Sequence, residues 1–386
     1  MGSDPPEIPL APLSMPAALP SMTRSRRPRR ADRPDVSNVG VGSDVGAGGA
    51  TGDGGVDART RSDALRYATP YHAPVLAAET LDLLVTDPDG LYVDGTLGGG
   101  GHSAALLDVL GPDALVIGVD QDPEALATAR ERLADAEAAG RFVALKGNFG
   151  DLDSLLARSG YGPTHGRPAA GVLLDLGVSS HQLDEGARGF AYGQDGPLDM
   201  RMGDKGETAA ALIARLRADD LADVIYQYGE ERRSRAIARA IKAAAPTTTA
   251  ALADVVRQSV PTRDELKTLA RVFQALRIAV NGEMEVLERA LPAALDVLAE
   301  GGRLAVIAYH SLEDRRAKQF LRTGRFTAQV EKDSFGNPLT PWRAVTRRPV
   351  VATDAETAAN PRARSARLRV AAKHSLTEPP ERHPGA

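Results

Sequence analysis

A carboxylate stands at the end of an apolar run in VLLDLGVSSHQLDEGARGF, residues 172–190. The run has the pattern of a buried strand that breaks after Asp175. A carboxylate is costly to bury at such a place unless a ligand or a hydrogen-bond donor uses it. Asp175 is therefore a candidate functional residue. The structural alternative is a turn or a helix cap, for which Ser179 and Ser180 are also suited.

A glycine-rich turn separates a predicted strand from a predicted helix in LYVDGTLGGGGHSAALL, residues 91–107. The glycines at 98–101 allow close approach of a ligand, and the following helix N-terminus offers unpaired N–H groups. The second strand ends in Asp120, where doubly wound folds hold a ribose diol. This combination predicts a site for an adenosine-containing cofactor and leaves both NAD and S-adenosylmethionine open. Asp94 favours the latter, because it would repel a pyrophosphate but could face an amino group or a sulfonium.

Two more residues beside strand ends are candidate cofactor contacts. Phe149 follows the third strand and would cover one side of an adenine ring, although a buried aromatic is the structural alternative. His102 opens the helix after the turn, where it would contact the cofactor or simply occupy the first helical turn.

The elements that must position these residues alternate between strand and helix. Strands are predicted at 91–94, 114–120, 141–147, 169–176 and 303–310, which is typical of a parallel sheet covered by helices on both faces. Residues 197–285 instead carry apolar positions at helical spacing. We predict a doubly wound, Rossmann-like α/β fold with an inserted all-helical domain.

The predicted domain boundaries follow from these patterns. The sheet domain is predicted at 67–196 and 286–373, with the helical insertion between its two parts. Residues 1–66 are rich in Pro, Gly, Ser and Arg, and we expect a disordered extension there and a disordered tail at 374–386.

Composition limits the function classes. The 386 residues include no cysteine, which excludes disulfides, zinc–cysteine clusters and a thiolate nucleophile. No apolar run approaches the roughly 20 residues of a membrane span, and no signal peptide is recognisable. We expect a cytoplasmic monomer or homodimer without a metal.

The charge of the chain is unevenly distributed. The net charge is −4, yet residues 315–386 carry fifteen Lys or Arg against six Asp or Glu. This local excess of positive charge predicts an RNA-binding surface or a solvated basic tail.

Nine segments, in this order along the chain, carry a resemblance to a known protein family. Over residues 67–373 the chain resembles the bacterial ribosomal RNA small-subunit methyltransferase H family, also called MraW. The segments that carry the resemblance are YHAPVLAAE, DGTLGGGGHS, DQDPEAL, LLDLGVSSHQLDEGARGF, GPLDMRM, YGEERRSRAIARAI, RVFQALRIAVNGEMEVLERAL, GGRLAVIAYHSLEDR and NPRARSARLR.

The resemblance implies an S-adenosylmethionine-dependent methyltransferase that modifies cytosine N4 in 16S rRNA near the decoding centre, within the small ribosomal subunit. It also implies a methyltransferase domain interrupted by a helical substrate-recognition domain. Carried over residue by residue, it implies a cofactor site made of Gly100, Gly101, His102, Asp120, Phe149, Asp175 and Gln182. Asp94 joins that set on the charge argument above.

Methylation of an exocyclic amino group requires a nitrogen lone pair about 3 Å from the methyl carbon. An acceptor that bonds an N4 hydrogen restores the nucleophilicity of that nitrogen, and we predict Asp175, or a backbone carbonyl that it orients, in this role. Contact between Asp175 and the cofactor amino group is an equal alternative. Methylation at cytosine C5 ordinarily requires a cysteine, and the chain has none.

Further residues on the same rim are candidate contacts for the base and the RNA. His310 is predicted to hydrogen-bond a flipped base, with a structural role as its alternative. Ser311 and Asp314 have capping-box spacing. Aromatic contacts are predicted from Tyr71, Phe190 and Tyr309, and phosphate contacts from a helical face with Arg232, Arg233, Arg235 and Arg239. An NAD-dependent oxidoreductase and a non-catalytic ribosome-assembly factor are the alternative functions.

Overall fold

The structure is a computed structural model that describes residues 74–179, 182, 185–327, 332 and 339–374. All of these belong to one compact unit of the chain, Gly54–Ala386. The predicted extension at 1–66, the predicted tail after residue 374, Tyr71 and Ser180 lie outside the described residues.

A seven-stranded sheet forms the centre of the described structure. Its strands are β1 (Leu91–Asp94), β2 (Leu115–Asp120), β3 (Phe142–Lys146), β4 (Ala169–Asp175), β5 (Leu298–Ala308), β6 (Trp342–Ala344) and β7 (Arg367–Lys373). Their order is β3-β2-β1-β4-β5-β7-β6, with β1 to β5 parallel and β7 antiparallel to both neighbours. The order reverses between β1 and β4, where a doubly wound sheet opens a ligand crevice at its carboxyl ends. The predicted doubly wound α/β fold is confirmed.

All five predicted strands are present, and Asp94, Asp120 and Asp175 end β1, β2 and β4. The fifth strand begins at Leu298 rather than at residue 303, and the antiparallel strands β6 and β7 were not predicted. Arg369, one of the arginines counted in the basic segment 315–386, does not contribute to a basic surface. Its side chain lies in β7, is 11% exposed, and its Nε donates to Asp314 Oδ1 at 2.7 Å, so it is a structural residue.

Helices cover both faces of the sheet and also form a separate section between β4 and β5. The helices are α1 (Ala77–Leu84), α2 (Gly101–Val109), α3 (Pro123–Arg132), α4 (Ala134–Ala138), α5 (Leu152–Arg158), α6 (Ala209–Arg215), α7 (Ala218–Gly229), α8 (Ser234–Ala244), α9 (Thr249–Gln258), α10 (Glu265–Asn281), α11 (Glu283–Val297), α12 (Ser311–Thr323) and α13 (Asp354–Ala359). α1, α2 and α3 pack on one sheet face, and α5, α11 and α12 pack on the other. In the part of the chain that the structure describes, no helix has the length and apolar character needed to cross a membrane.

Helices α6 to α10 enclose a hydrophobic cluster of their own, which includes Leu212, Ile237 and Leu276. The predicted boundary at residue 285 falls inside α11, whose Leu287 packs into the core of the sheet. The helical section therefore ends at Gly282, which has a φ of +58°. Its independence as a domain stays a prediction.

The predicted arginine face on one helix was wrong in part. Arg235 and Arg239 lie one turn apart in α8, but Arg232 and Arg233 precede that helix. Arg233 Nη1 lies 3.4 Å from Asp264 Oδ2, so it ties two loops together instead.

Candidate active site

The carboxyl ends of β1 to β4 border one cleft of about 830 Å³ that is open to solvent, which we call the strand-end cleft. Six of the eight residues predicted for the cofactor line it, and Gly100 and Asp94 do not. The six are Gly101, His102, Asp120, Phe149, Asp175 and Gln182. Sequence reasoning missed Thr96, Gln121, Asn148 and Met202 as lining residues, and it weighed Tyr309 only as a contact for the base.

Gly98 is the point at which the strand-end cleft reaches the backbone of the turn. Its φ is +50°, and a Cβ built there would meet only the carbonyl oxygen of Thr96, at 4.0 Å. A side chain at this position would project into open space beside the cleft instead of into protein. Gly100 has a φ of +74°, but its added Cβ would lie 3.4 Å from Ala129 on α3. Gly98 thus faces the strand-end cleft, and Gly100 shapes the turn.

Asp120 lies at the end of β2 with both carboxylate oxygens directed by the backbone. Oδ2 accepts the Gly98 N–H at 2.9 Å, and Oδ1 accepts the Asp122 N–H at 2.9 Å. Burial raises the pKa of Asp120 to about 6 against the effect of these donors. Each oxygen retains a second lone pair, so the carboxylate can still accept hydroxyl donors from a ribose diol.

The wall after β3 is flat and mainly apolar. The half-buried Phe149 ring lines the strand-end cleft together with Leu97 and Val119. Asn148 donates its side-chain N–H to Gln121 Oε1 at 3.2 Å, which fixes two amide groups at the edge of that wall. A carboxylate that can accept further hydrogen bonds, an aromatic wall and an open glycine turn fit an adenosine-containing ligand.

Asp94 lies behind the turn and not in the strand-end cleft. It is 1% exposed, with Oδ2 accepting from Ser103 Oγ at 2.8 Å and Oδ1 accepting the Thr96 N–H at 3.2 Å. Burial raises the pKa of Asp94, and these bonds oppose that rise. The geometry of Asp94 favours a role in holding the turn rather than the predicted direct contact with the cofactor.

Asp175 is held on three sides at the end of β4. Its Oδ1 accepts from the Tyr309 hydroxyl at 2.9 Å, its Oδ2 lies 3.6 Å from His102 Nδ1, and its N–H donates to Thr96 Oγ1 at 2.7 Å. Burial raises the pKa of Asp175 to about 6, although His102 and Tyr309 act to lower it. Burial and the neighbouring carboxylate raise the pKa of Tyr309 well above its usual value, so its hydroxyl stays a donor.

His102 presents one particular ring nitrogen to Asp175. Its Nε2 lies 3.0 Å from the carbonyl oxygen of Val75, which can only accept, so Nε2 carries a hydrogen. Nδ1 is then the ring nitrogen that faces Asp175 Oδ2, at 3.6 Å.

The chain after β4 folds back over the β2 end of the strand-end cleft. Gln182 Nε2 donates to Asp122 Oδ2 at 3.1 Å, and Arg188 Nη2 donates to the same oxygen at 2.9 Å. Arg188 also donates to the carbonyl oxygens of Arg201 and Met202. Asp122 and Arg188 escaped sequence reasoning because their pairing joins residues 66 positions apart.

His310 caps α12, and the predicted capping box was displaced by one residue. His310 Nδ1 accepts the Glu313 N–H at 3.4 Å, while Glu313 Oε2 accepts the His310 N–H at 3.2 Å. Nε2 lies 3.1 Å from Glu313 Oε1 but not in the direction of a hydrogen bond, and it has no such partner among the described residues. Contact between His310 and the base stays a prediction.

Glu283, His310 and Glu313 bring three potential metal-ligand atoms within 4.8 Å of one another. Arg277, however, donates to both oxygens of Glu283 at 2.8 Å. A buried guanidinium at this place already balances carboxylate charge and would repel a cation. We interpret the cluster as a charge network that anchors α12 against α10 and α11.

A second depression, of about 1250 Å³, lies between the helical section and the rim of the sheet. We call it the aromatic groove, after Phe190, Tyr192, Phe273 and Tyr309. Tyr192 packs edge-on against Phe273, with ring centroids 5.6 Å apart. Tyr309 lines both this groove and the strand-end cleft, so it stands where the two meet.

Sequence comparisons cover this whole arrangement. A family model described as the MraW methylase family matches residues 69–374. A ribosomal RNA small subunit methyltransferase H from Rhodospirillum rubrum is 49% identical over 311 residues, which cover 77% of this chain and 93% of that protein. Proteins of the same name from Chlorobaculum parvum (50% over 316 residues, covering 78% and 98%) and Chlorobium phaeovibrioides (51% over 320 residues, covering 78% and 96%) are similarly close.

Proposed function

Because this chain belongs to the MraW methylase family and uses S-adenosylmethionine as its cofactor, we propose that it methylates the exocyclic N4 amino group of a cytidine in 16S rRNA near the decoding centre. The family and the cofactor predicted from the sequence are confirmed, and nothing supports the oxidoreductase alternative. The names of the relatives support small-subunit rRNA as the substrate class. The choice of N4 rests on the chemistry available at Asp175.

The residues of the strand-end cleft fit the cofactor. Asp120 can take the ribose hydroxyls, Phe149 can cover the adenine, and the open turn at Gly98 leaves space against the backbone. Gln182 closes the β2 end through its bond to Asp122. When bound, S-adenosylmethionine supplies an electrophilic methyl group on a sulfonium.

The observation that carries the proposal is that Asp175 lines the strand-end cleft and accepts a hydrogen bond from Tyr309, which also lines the aromatic groove. Tyr309 donates to Oδ1, whereas Oδ2 accepts no hydrogen bond from the described residues, so Oδ2 is the oxygen more open to an N–H of an incoming amino group. This bond would draw the cytosine nitrogen away from conjugation with its ring and make its lone pair available. Oδ2 would accept the N4 proton that is released when the amino nitrogen takes the methyl group and the sulfonium leaves as a neutral thioether. His102 Nδ1 lies 3.6 Å from that oxygen.

Two further observations favour N4 over other positions on the base. Methylation at C5 ordinarily proceeds through a cysteine adduct, and the chain contains no cysteine. The aromatic groove also provides an approach for an unstacked base, with Phe190 and Tyr192 on its wall and Tyr309 at its inner end. Both features suit an amino group presented edge-on to Asp175.

The decisive experiment is a mass map of 16S rRNA from a strain that lacks this protein. We expect the loss of one N4-methylated cytidine near the decoding centre and its return on complementation with the wild type. Complementation with Asp175→Ala should not restore it. An unchanged methylation pattern in the deletion strain would refute the proposal and favour a non-catalytic assembly factor.

The same variant separates the two roles of Asp175. Isothermal titration of purified Asp175→Ala with S-adenosylmethionine should show retained affinity if Asp175 serves the base. A lost affinity would assign the carboxylate to the cofactor amino group instead. Methyl transfer at the wild-type rate would contradict both roles.

A further inference from the structure

A third depression, of about 830 Å³, adjoins the active site at Tyr309 and His310. We call it the arginine groove, after Arg315, Arg364 and Arg367. These three arginines come from α12, from the 3₁₀ turn Pro361–Ser365, and from β7. Tyr309 and His310 line both the arginine groove and the aromatic groove, so the two grooves meet at this pair, which we call the Tyr309–His310 ridge.

The charge in the arginine groove is only partly neutralised. Asp314, the one acidic residue among the described residues that line it, accepts from Arg369 at 2.7 Å, while Arg367 Nη1 lies 3.6 Å from it. Arg315 pairs with Glu230 at the outer edge and remains half exposed. Arg364 is exposed and makes no hydrogen bond or ion pair with any described residue. Positive charge therefore remains available beside the ridge.

We propose that the arginine groove is a phosphate-binding track for the RNA strand that delivers the acceptor base. This inference rests on the proposed function and adds the form of the substrate, a single unpaired strand that crosses the Tyr309–His310 ridge. Phosphates beside the acceptor lie against Arg364 and Arg367, and the acceptor nucleotide turns inward toward Asp175. A base on the other side of the ridge lies in the aromatic groove, where Tyr192 offers a ring for stacking.

The geometry favours a single strand over a duplex. The two grooves meet at Tyr309 and His310, so a strand that reaches both places phosphates beside the arginines and an adjacent base beside the aromatic rings. Bases in an A-form duplex stay stacked and paired, and stacking on protein aromatics requires unpaired ones. Phosphate contacts carry no sequence information, so the track positions the strand and leaves the choice of base to the active site.

The test compares RNA binding by the full chain and by the double variant Arg364→Gln/Arg367→Gln. The probe is a single-stranded RNA of about 12 nucleotides with one central cytidine, within the usual size of single-strand sites. Loss of two phosphate contacts should weaken binding about 25-fold at 0.1 M salt and reduce the salt-dependence slope by about 1.4, from about 0.7 per contact. Affinity for S-adenosylmethionine should not change.

Arg158→Gln is the matched control, because Arg158 is exposed on α5 and lines none of the three depressions. Equal weakening by the control and the double variant would overturn the inference, as would equal binding of the same RNA annealed to its complement. Because this test measures RNA binding, unchanged affinity in the double variant together with intact N4 methylation would refute only the phosphate-binding track. Loss of methylation in the deletion map tests the proposed function separately.

Discussion

Removal of the Tyr309 hydroxyl should move the pH dependence of methyl transfer without abolishing it. Tyr309 donates to Asp175 Oδ1 at 2.9 Å, and this bond stabilises the ionised carboxylate. If ionised Asp175 accepts the amino hydrogen, the wild-type rate should rise with pH through about 6, the pKa to which burial raises this carboxyl. Tyr309→Phe retains the ring and removes only the donor, so the pKa of Asp175 should rise further.

The size of the effect follows from the strength of that bond. A hydrogen bond to a charged group contributes about 1.5–3 kcal/mol and one to a neutral group about 1, so the ionised form loses about 1.3 kcal/mol more. This difference raises the pKa of Asp175 by about one unit. Relative to wild type, the rate should fall about five-fold at pH 6 and about two-fold at pH 7, and should recover near pH 8.5.

The assay is the saturating rate of methyl transfer from labelled S-adenosylmethionine to small subunits between about pH 5.5 and 9, across the expected titration. Tyr192→Phe is the control, since the Tyr192 hydroxyl makes no hydrogen bond with any described residue. An unchanged acid limb in Tyr309→Phe would refute the reasoning. So would a uniform loss of rate at every pH, which would indicate a purely structural role.

Three other perturbations have defined outcomes. Asp175→Asn should raise the free energy of unfolding by about 3 kcal/mol at pH 8 and should not change it below pH 4. The reason is that the pKa of Asp175 is raised to about 6 in the folded state, so ionisation of this carboxyl destabilises the fold as the pH increases. Equal stabilities of the variant and the wild type at pH 8 in urea titrations would contradict this. Gly98→Ala should weaken S-adenosylmethionine binding in calorimetry, whereas Gly140→Ala, equally strained at a φ of +71° but far from the cleft, should not. Arg188→Ala should weaken that binding about ten-fold by releasing Asp122, with the saturated rate preserved; an unchanged affinity would exclude a closing role.

Local sequence patterns were sufficient to predict most strands of the sheet. Short apolar runs end in Asp94, Asp120 and Asp175. Such runs predict parallel strands, because a strand that is buried on both faces of a sheet must be apolar along its whole length. The short strand β6 and the charged strand β7 lacked such a signal. Arg369 is buried in β7 only because Asp314, 55 positions away, supplies its partner.

The sequence by itself determined that a carboxylate, a glycine turn and an aromatic residue stand at neighbouring strand ends, because strand direction alone brings those ends together. Only the tertiary structure decided which atoms face the chemistry. It turned Asp94 away toward Ser103 and left Gly98 facing the cleft. It also placed the Tyr309 hydroxyl, 134 residues distant, on one oxygen of Asp175 and the His102 ring beside the other. Side-chain partners of this kind depend on how distant elements pack, which no local pattern encodes.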